Sequence, residues 1–434
     1  MEGGDQPSEK GQSIVGWDLE AAAARGKLSP MSASTENNCE GGELLLEELL
    51  VRHRAAFCER FGDSGEIRLF FSPGRVNLMG AHLDYNGGPV MPMTVHNGTF
   101  IAARGRTDKK LRLATTFGVE THELDLVRLP DRALGAWVDY PLGVARALLD
   151  QVEAPFGLDL LFGGNLPIGA GLSSSASICV GTAFALDYMW GSSLAPGARV
   201  QAALTAEREF VGVQCGIMDP FAVGYACPGH LLWLDCKDES LEHLPLDFSK
   251  VRIAVIDTNV RRQLAHGEFN QRVDECRQAF EALVPFAAGA TCLRDIPISV
   301  LEEHFDNLVP AVARRARHVV TEVARTFTAR EALIDGDLAV FGAQMSAAHR
   351  SLAKDFEVSV GELDCLVDAA LEVDGVLGSR LTGAGFGGCI VVLLDAAACQ
   401  DLEAQVTAAY QRDFSQTPKM WFFEGDAGPR ELEL

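Results

Sequence analysis

The chain has 434 residues, 47% of them hydrophobic, and a formal net charge of −23. Its length allows two domains, each with a sizeable core. Its acidity argues against nucleic acid and anionic membrane as partners, and it means that any phosphate site needs local help from backbone N–H groups, a metal ion or a few arginines.

Residues 1–42 are rich in Gly, Ser, Ala and Glu, show little apolar periodicity, and read as a flexible extension. No basic-then-apolar leader opens the chain and no apolar run reaches the ~18 residues of a membrane span. The 11 cysteines are scattered without CxxC or Cys/His ligand spacing, which reads as reduced thiols in a cytoplasmic protein. A helix is expected in ELLLEELLVRHRAAF, with Leu45, Leu46, Leu49 and Leu50 on one face. IRLFF then reads as a strand running into SPGRVNLMGAHLDYNGGPVMP. There Arg75, His82, Asp84 and Tyr85 lie among Gly74, Gly80, Gly87 and Gly88. Polar reach packed between residues that let a backbone bend or approach a ligand marks a candidate binding loop. TFIAARGR and KLRLATTF alternate like further strands.

The second glycine-rich stretch is NLPIGAGLSSSASICVG. Gly169 and Gly171 precede Ser173, Ser174 and Ser175, and a buried helix is expected to follow. Curled backbone, exposed N–H groups and a helix N-terminus suit an anion. A Ser/Gly turn that merely caps the helix is the alternative. The stretch lacks the lysine of a Walker A loop and is not a GxSxG nucleophile elbow. In AEREFVGVQCGIMDPFAV, Asp219 is either a helix N-cap or a functional carboxylate, and Glu207 is either a solvated helix residue or a buried ligand. HLLWLDC and VRIAVIDT read as strands, and the pattern turns helical from about Gln271. GELDCLVDAALEVDG reads as a helix with Gly375 at its C-cap. SRLTGAGFGGCIVVLL spells GxGxxG, but a strand follows it where a dinucleotide fold needs a helix, so it reads as a turn or as a glycine wall against a ligand or the other loops. Strands and helices mix without a βαβ period. An α+β fold is therefore expected, with a weakly marked boundary near residues 240–250.

Taken together, these stretches resemble the galactokinase family within the GHMP small-molecule kinases. The resemblance rests on SPGRVNLMGAHLDYNGG, GNLPIGAGLSSSAS, CGIMDPF, TNVRRQLAHGEFNQRVDEC, AHRSLAKDFEVSVGELD and SRLTGAGFGGC, in the family's order, and covers nearly all of the chain after residue 45. It implies an α+β fold of two domains, residues 43–245 and 246–434, with the active site in the cleft between them. It implies that ATP phosphorylates the anomeric hydroxyl of a hexose, with a small sugar and ATP as the partners of a monomer. By motif, Asp219 is similar to the family's catalytic carboxylate and Arg75 to the arginine beside it. Ala81, His82, Leu83, Asp84, Gly216 and Phe269 fall at sugar-binding positions. Gly169, Ala170, Gly171, Leu172, Ser173, Ser174 and Ser175 match the ATP-phosphate loop, and Ser175 and Glu207 match the Mg²⁺ positions.

The chain departs from the family at Ala81 (usually Glu), Leu83 (Thr), Pro220 (Gln), Arg262 (His) and Phe269 (Tyr). An alanine at position 81 removes a negative charge from the C6 end of the sugar, and GAHLDYNGG also resembles plant galacturonate kinases. The substrate expected from the resemblance is galactose, with galacturonate as the alternative. A uronate carboxylate would be repelled by a glutamate there, by about 4 kcal/mol at 4 Å and an effective dielectric of 20, and an alanine relieves that. A sugar and ATP sensor without catalysis is the alternative of another class. The survival of Arg75, the three serines and Asp219 weighs against it, and GAHLDYNGG favours a sugar over mevalonate or homoserine.

Overall fold

The computed structural model describes residues 42–167, 170–260 and 265–433. Residues 1–41 of the extension expected over residues 1–42, Gly169 of the serine loop and Arg262 with its neighbour Arg261 lie outside the described residues, and Gly42 opens a helix instead. Two mixed layers confirm the α+β expectation. The first sheet runs β12-β1-β2-β5-β3-β4, formed by β1 (Arg68–Met79), β2 (Pro89–Gly105), β3 (Lys110–Thr115), β4 (Thr121–Asp125), β5 (Leu158–Gly164) and β12 (Arg430–Leu432). A ribbon of β6 (His230–Asp235) and β7 (Leu241–Pro245) extends it from β2. The second sheet is antiparallel, in the order β11-β8-β10-β9: β8 (Val251–Asp257), β9 (Val376–Thr382), β10 (Cys389–Asp395) and β11 (Lys419–Phe423).

Sequence periodicity finds β1 and β2 but shortens both. β2 runs seventeen residues, through Pro89 and Pro92, which lack the N–H that a ladder uses. The register with β1 slips between Asn77 and Met79, and Pro92 lies opposite Asn77 at that irregularity, so the missing donor is accommodated there. Both strands are buried on both faces over most of their length, which hides the alternation expected of a half-exposed strand.

The first helix spans Gly42–Phe61 and docks Leu46, Leu49, Leu50 and Phe57 on the outer face of the first sheet. The helix Ser174–Trp190 is buried nearly all round and packs against the opposite face with Phe70, Ile101 and Phe162. The helix Gly361–Leu371 is capped by Glu372, a correction to the expected cap at Gly375. Gly375 instead makes the turn into β9 at φ +88°, where its carbonyl accepts from the Asp395 N–H at 2.7 Å.

The second half of β1 joins the two layers. Val76, Leu78 and Met79 share one apolar cluster with Ile253, Val255, Val391 and Leu393 of the second sheet. At the other end of the chain, β12 returns to β1 and Arg68 pairs with Glu431 at 2.6 Å. Loops that leave β1 and β9 therefore meet at a common seam. Among the described residues no helix is long and apolar enough to cross a membrane.

Candidate active site

Arg75 projects from the middle of β1 and is 6% exposed. Its guanidinium forks onto Asp219, Nε to Oδ1 at 2.7 Å and Nη2 to Oδ2 at 2.6 Å, and Nη1 donates to the Gly171 carbonyl at 2.6 Å. Asp219 lies in the first turn of the short helix Met218–Gly224, two residues beyond Ile217 at the N-cap, so it is not the cap itself. Ser173 also donates its hydroxyl to Asp219 Oδ2. One carboxylate thus ties together the arginine of β1 and the serine loop, which are far apart in sequence.

The serine loop reaches β1 because residue 74 has no side chain. A Cβ on Gly74 would press on the Leu172 carbonyl at 2.8 Å, and that carbonyl accepts from the Arg75 N–H at 3.0 Å. Ala170 and Leu172 are buried beneath the loop, Gly171 and Ser174 are exposed, and Ser173 and Ser175 are half-buried. Ser173 sits at φ +55° and ψ +61°, immediately before the helix Ser174–Trp190. A non-glycine residue in that conformation is strained, and strain of this kind collects at ligand sites. Gly383 of the GxGxxG stretch comes up against Gly171. That stretch joins β9 to antiparallel β10, so it is a glycine wall against the serine loop, one of the two readings left open by the sequence.

Glu207 is 3% exposed on a π-helical turn, Ala206–Val211, a local irregularity often found at functional sites. Burial pushes its carboxyl up to about 7; a hydrogen bond from Ser175 opposes this, the Asp219 charge adds to it, and Arg75 opposes it again. Its Oε2 is buried without a hydrogen-bond partner among the described residues. The solvated alternative is thereby excluded. Hydroxyl plus carboxylate oxygen is a donor set that fits a hard divalent cation completed by phosphate oxygens and water. No group of three or more His, Cys, Asp and Glu side chains able to hold a metal occurs among the described residues.

The 80–88 loop forms the neighbouring wall. Asp84 opens a short 3₁₀ turn, Asp84–Asn86, and its carboxylate abuts Gly216, where a Cβ would fall inside it. Burial pushes the Asp84 carboxyl up to about 6, with Asp219 adding to the shift and Arg75 opposing it. His82 has φ +59° and is 7% exposed. Its ring lies 4.7 Å from that of Phe356 and 5.9 Å from that of Phe269, and Nδ1 is 2.9 Å from the Tyr85 hydroxyl. Burial drives its pKa down to about 3, helped by His318, Arg380 and Arg272 and opposed by the Ala384 backbone. Phe269 is half-buried on the helix Ala265–Leu283.

Ala81 is 5% exposed, and its carbonyl faces His318 Nε2 at 3.2 Å. Leu83 is wholly buried, and its carbonyl accepts from the Asn86 and Gly88 N–H groups, so it supports the wall from behind. Sequence reasoning missed the layer behind this loop. Glu322 accepts from the Gly80 N–H at 3.2 Å and from Arg325 at 2.7 Å. Arg380 is 1% exposed, donates through Nη2 to the Asn77 carbonyl, and keeps Nε and Nη1 without partners among the described residues. The fully buried Arg380 follows Ser379 in a stretch that otherwise reads only as glycine-rich, and that was the available signal.

Three family models match the chain. They are a galactokinase galactose-binding signature over residues 55–105, the GHMP kinases N terminal domain over 139–226, and the GHMP kinases C terminal domain over 329–412. The galactokinase of Enterococcus faecalis is 38% identical over 395 residues, covering 89% of this chain and 100% of that protein. The galactokinase of Chloroflexus aurantiacus is 41% identical over 342 residues, covering 79% and 87%. The crystal structure of Lactococcus lactis galactokinase complexed with galactose superposes with a TM-score of 0.84 at 33% identity, covering 88% and 100%. The mevalonate kinase of Methanococcus jannaschii, at 19% identity and a TM-score of 0.60 over 84% and 100%, shares the fold alone.

Proposed function

The chain belongs to the galactokinase family of GHMP kinases, and on that premise we propose that it transfers the γ-phosphoryl group of ATP to the anomeric hydroxyl of galactose, with Asp219 as the base. The phosphotransferase class, with an alcohol as acceptor, follows from the family itself. The observation that supports the finer reading is the meeting of Arg75, Ser173 and the Gly171 carbonyl around one carboxylate.

Phosphoryl transfer asks a protein mainly for positioning and charge stabilisation. Asp219 Oδ1 carries one hydrogen bond, from Arg75, and so keeps a lone pair for the sugar's hydroxyl proton. The side chain of Asp219 is 28% exposed, so this lone pair is accessible. The hydroxyl oxygen attacks the γ-phosphorus, the bond to the ADP oxygen breaks, and the proton passes to Asp219. Arg75 and the N–H groups after Gly171 supply positive potential where charge builds on the phosphoryl oxygens. Ser175 and Glu207 would hold Mg²⁺, which when bound neutralises phosphate charge. His82 and Asp84 offer donor and acceptor to sugar hydroxyls, and such a site rejects isomers that leave buried polar groups unpaired.

A second reading, galacturonate in place of galactose, is favoured by a specific observation. At the base of the 80–88 loop, Glu322 accepts from the Gly80 N–H and offsets the charge of the buried Arg380 guanidinium, which holds the Asn77 carbonyl and keeps two donors without partners among the described residues. A glutamate at position 81 would add a second negative charge to this layer, and an alanine does not. One experiment tests both readings: ADP release with galactose, galacturonate, glucuronate and arabinose, and the phosphorylated carbon identified by ³¹P–¹H coupling. Galactose as the fastest substrate, phosphorylated at C1, supports the first reading. Preference for galacturonate supports the second. No sugar-dependent ADP release, or a phosphate away from C1, overturns the mechanism.

A further inference from the structure

Tyr85 sits three residues after His82, in the middle of the short Asp84–Asn86 turn, and its phenol oxygen is 2.9 Å from His82 Nδ1. The phenol has no other hydrogen-bond partner among the described residues. The imidazole itself is enclosed. Phe356 and Phe269 lie at 4.7 and 5.9 Å, Tyr85 meets its edge at 5.9 Å, and Nε2 is buried with no hydrogen-bond partner among the described residues.

A neutral imidazole holds one proton, on one nitrogen or the other. With the proton on Nδ1, it would point at the phenol oxygen, the phenol hydrogen would be left without an acceptor, and Nε2 would be a bare buried lone pair. With the proton on Nε2, the phenol donates to Nδ1, and one buried donor remains. A single unmade bond costs less than two, so the second arrangement is favoured. Burial and the nearby cations Arg380 and Arg272 keep the ring uncharged, and burial holds the Tyr85 phenol far above its ordinary value, so both groups stay in these forms throughout the neutral range.

We propose that Tyr85 is a positioning residue: its phenol donates to His82 Nδ1, holds the ring as the Nε2–H tautomer, and thereby makes Nε2 a donor for an oxygen of the bound sugar. The proposal rests on the reading that the 80–88 loop is the sugar wall. It explains why a strained, left-handed histidine is kept in an aromatic enclosure with a phenol at Nδ1 and the Ala384 backbone as a further polar neighbour. Phe269 has no hydroxyl with which to compete for the ring, so the choice of tautomer falls to Tyr85.

The test begins with the unaltered protein labelled with ¹⁵N-histidine. Long-range ¹H–¹⁵N correlations distinguish the two tautomers, and the His82 signals are assigned by their loss in His82→Gln. The expected result is a proton on Nε2 at pH 7, with that signal moving when the preferred sugar is added. A proton on Nδ1, or an Nε2 signal indifferent to a sugar that is turned over, overturns the proposal. In Tyr85→Phe the expected result is a mixed tautomer signature and a rise of about three- to tenfold in KM for the sugar, with kcat and KM for ATP held within about twofold. Retention of the Nε2–H signature with an unchanged sugar KM overturns it as well. If Tyr85→Phe fails to fold, the spectrum of the unaltered protein still decides the tautomer. If no sugar releases ADP, the functional reading fails, while the tautomer remains readable in the same spectra.

Discussion

Arg75 grips Asp219 through two parallel bonds, Nε to Oδ1 at 2.7 Å and Nη2 to Oδ2 at 2.6 Å, while its third nitrogen holds the Gly171 carbonyl. Such a fork is planar and directional, and an ammonium cannot reproduce it. It orients the carboxylate and fastens the serine loop with one side chain.

Asp219→Ala removes the proposed proton acceptor and leaves the serine loop in place. Turnover, measured as sugar-dependent ADP release, falls by about 10²–10⁴-fold, while the affinity for an unreactive ATP analogue, measured by calorimetry, changes little. Comparable losses in both would show that Asp219 organises the loop and is not the base.

Arg75→Lys retains the charge and loses the fork. We expect kcat to drop by about tenfold or more and KM for ATP to rise, because the Gly171 carbonyl also loses its partner. An enzyme with unchanged kcat would show that a point charge is sufficient.

Ala81→Glu introduces a carboxylate into the 80–88 loop, one residue after Gly80, whose N–H is held by Glu322. Turnover of galacturonate relative to galactose falls by at least about tenfold, by like-charge repulsion at C6. The ratio of the two kcat/KM values checks this, and an unchanged ratio would mean that position 81 does not face C6.

Gly216→Ala puts a methyl group where the Asp84 carboxylate lies. Overpacking of this kind costs about 1–3 kcal/mol. Displacement of Asp84 raises KM for the sugar and leaves ATP affinity alone. Equal effects on both substrates would indicate a general loss of structure.

Asp84→Asn tests the buried carboxyl through its pH dependence. The folded protein holds the Asp84 proton up to about pH 6, against an ordinary value of 3.8. The native state therefore binds more protons than the unfolded chain between these values, and the contribution of Asp84 to stability falls as pH rises through that window. The urea midpoint of Asp84→Asn relative to the unaltered protein climbs between about pH 4 and pH 6 and is level above. A difference that stays flat across that range would show that Asp84 titrates normally.

The glycine-rich stretches were legible in the sequence because each states a local need. Gly74, Gly171 and Gly383 stand where backbone meets backbone, and three serines before an apolar helix mark a turn suited either to an anion or to capping the helix. The length of β2 was not legible, because a strand buried on both faces shows no alternation and its prolines are tolerated only at a register slip. The cap at Glu372 was misplaced onto Gly375 for a related reason. Glycine at positive φ serves a strand-entry turn as well as a helix end, and the Asp395 N–H that meets its carbonyl comes from another strand.

The resemblance singled out Asp219, while the sequence by itself determined the α+β class and the three glycine-rich loops. These follow from spacing and residue chemistry within a few turns of chain. Only the tertiary structure decided that Glu207 is buried beside Ser175, that Leu83 supports the wall from behind, and that His82 lies between Phe269 and Phe356 ahead of the Arg380 layer. Burial and charge environment are sums over neighbours from distant parts of the chain. No local pattern encodes which of those neighbours will arrive.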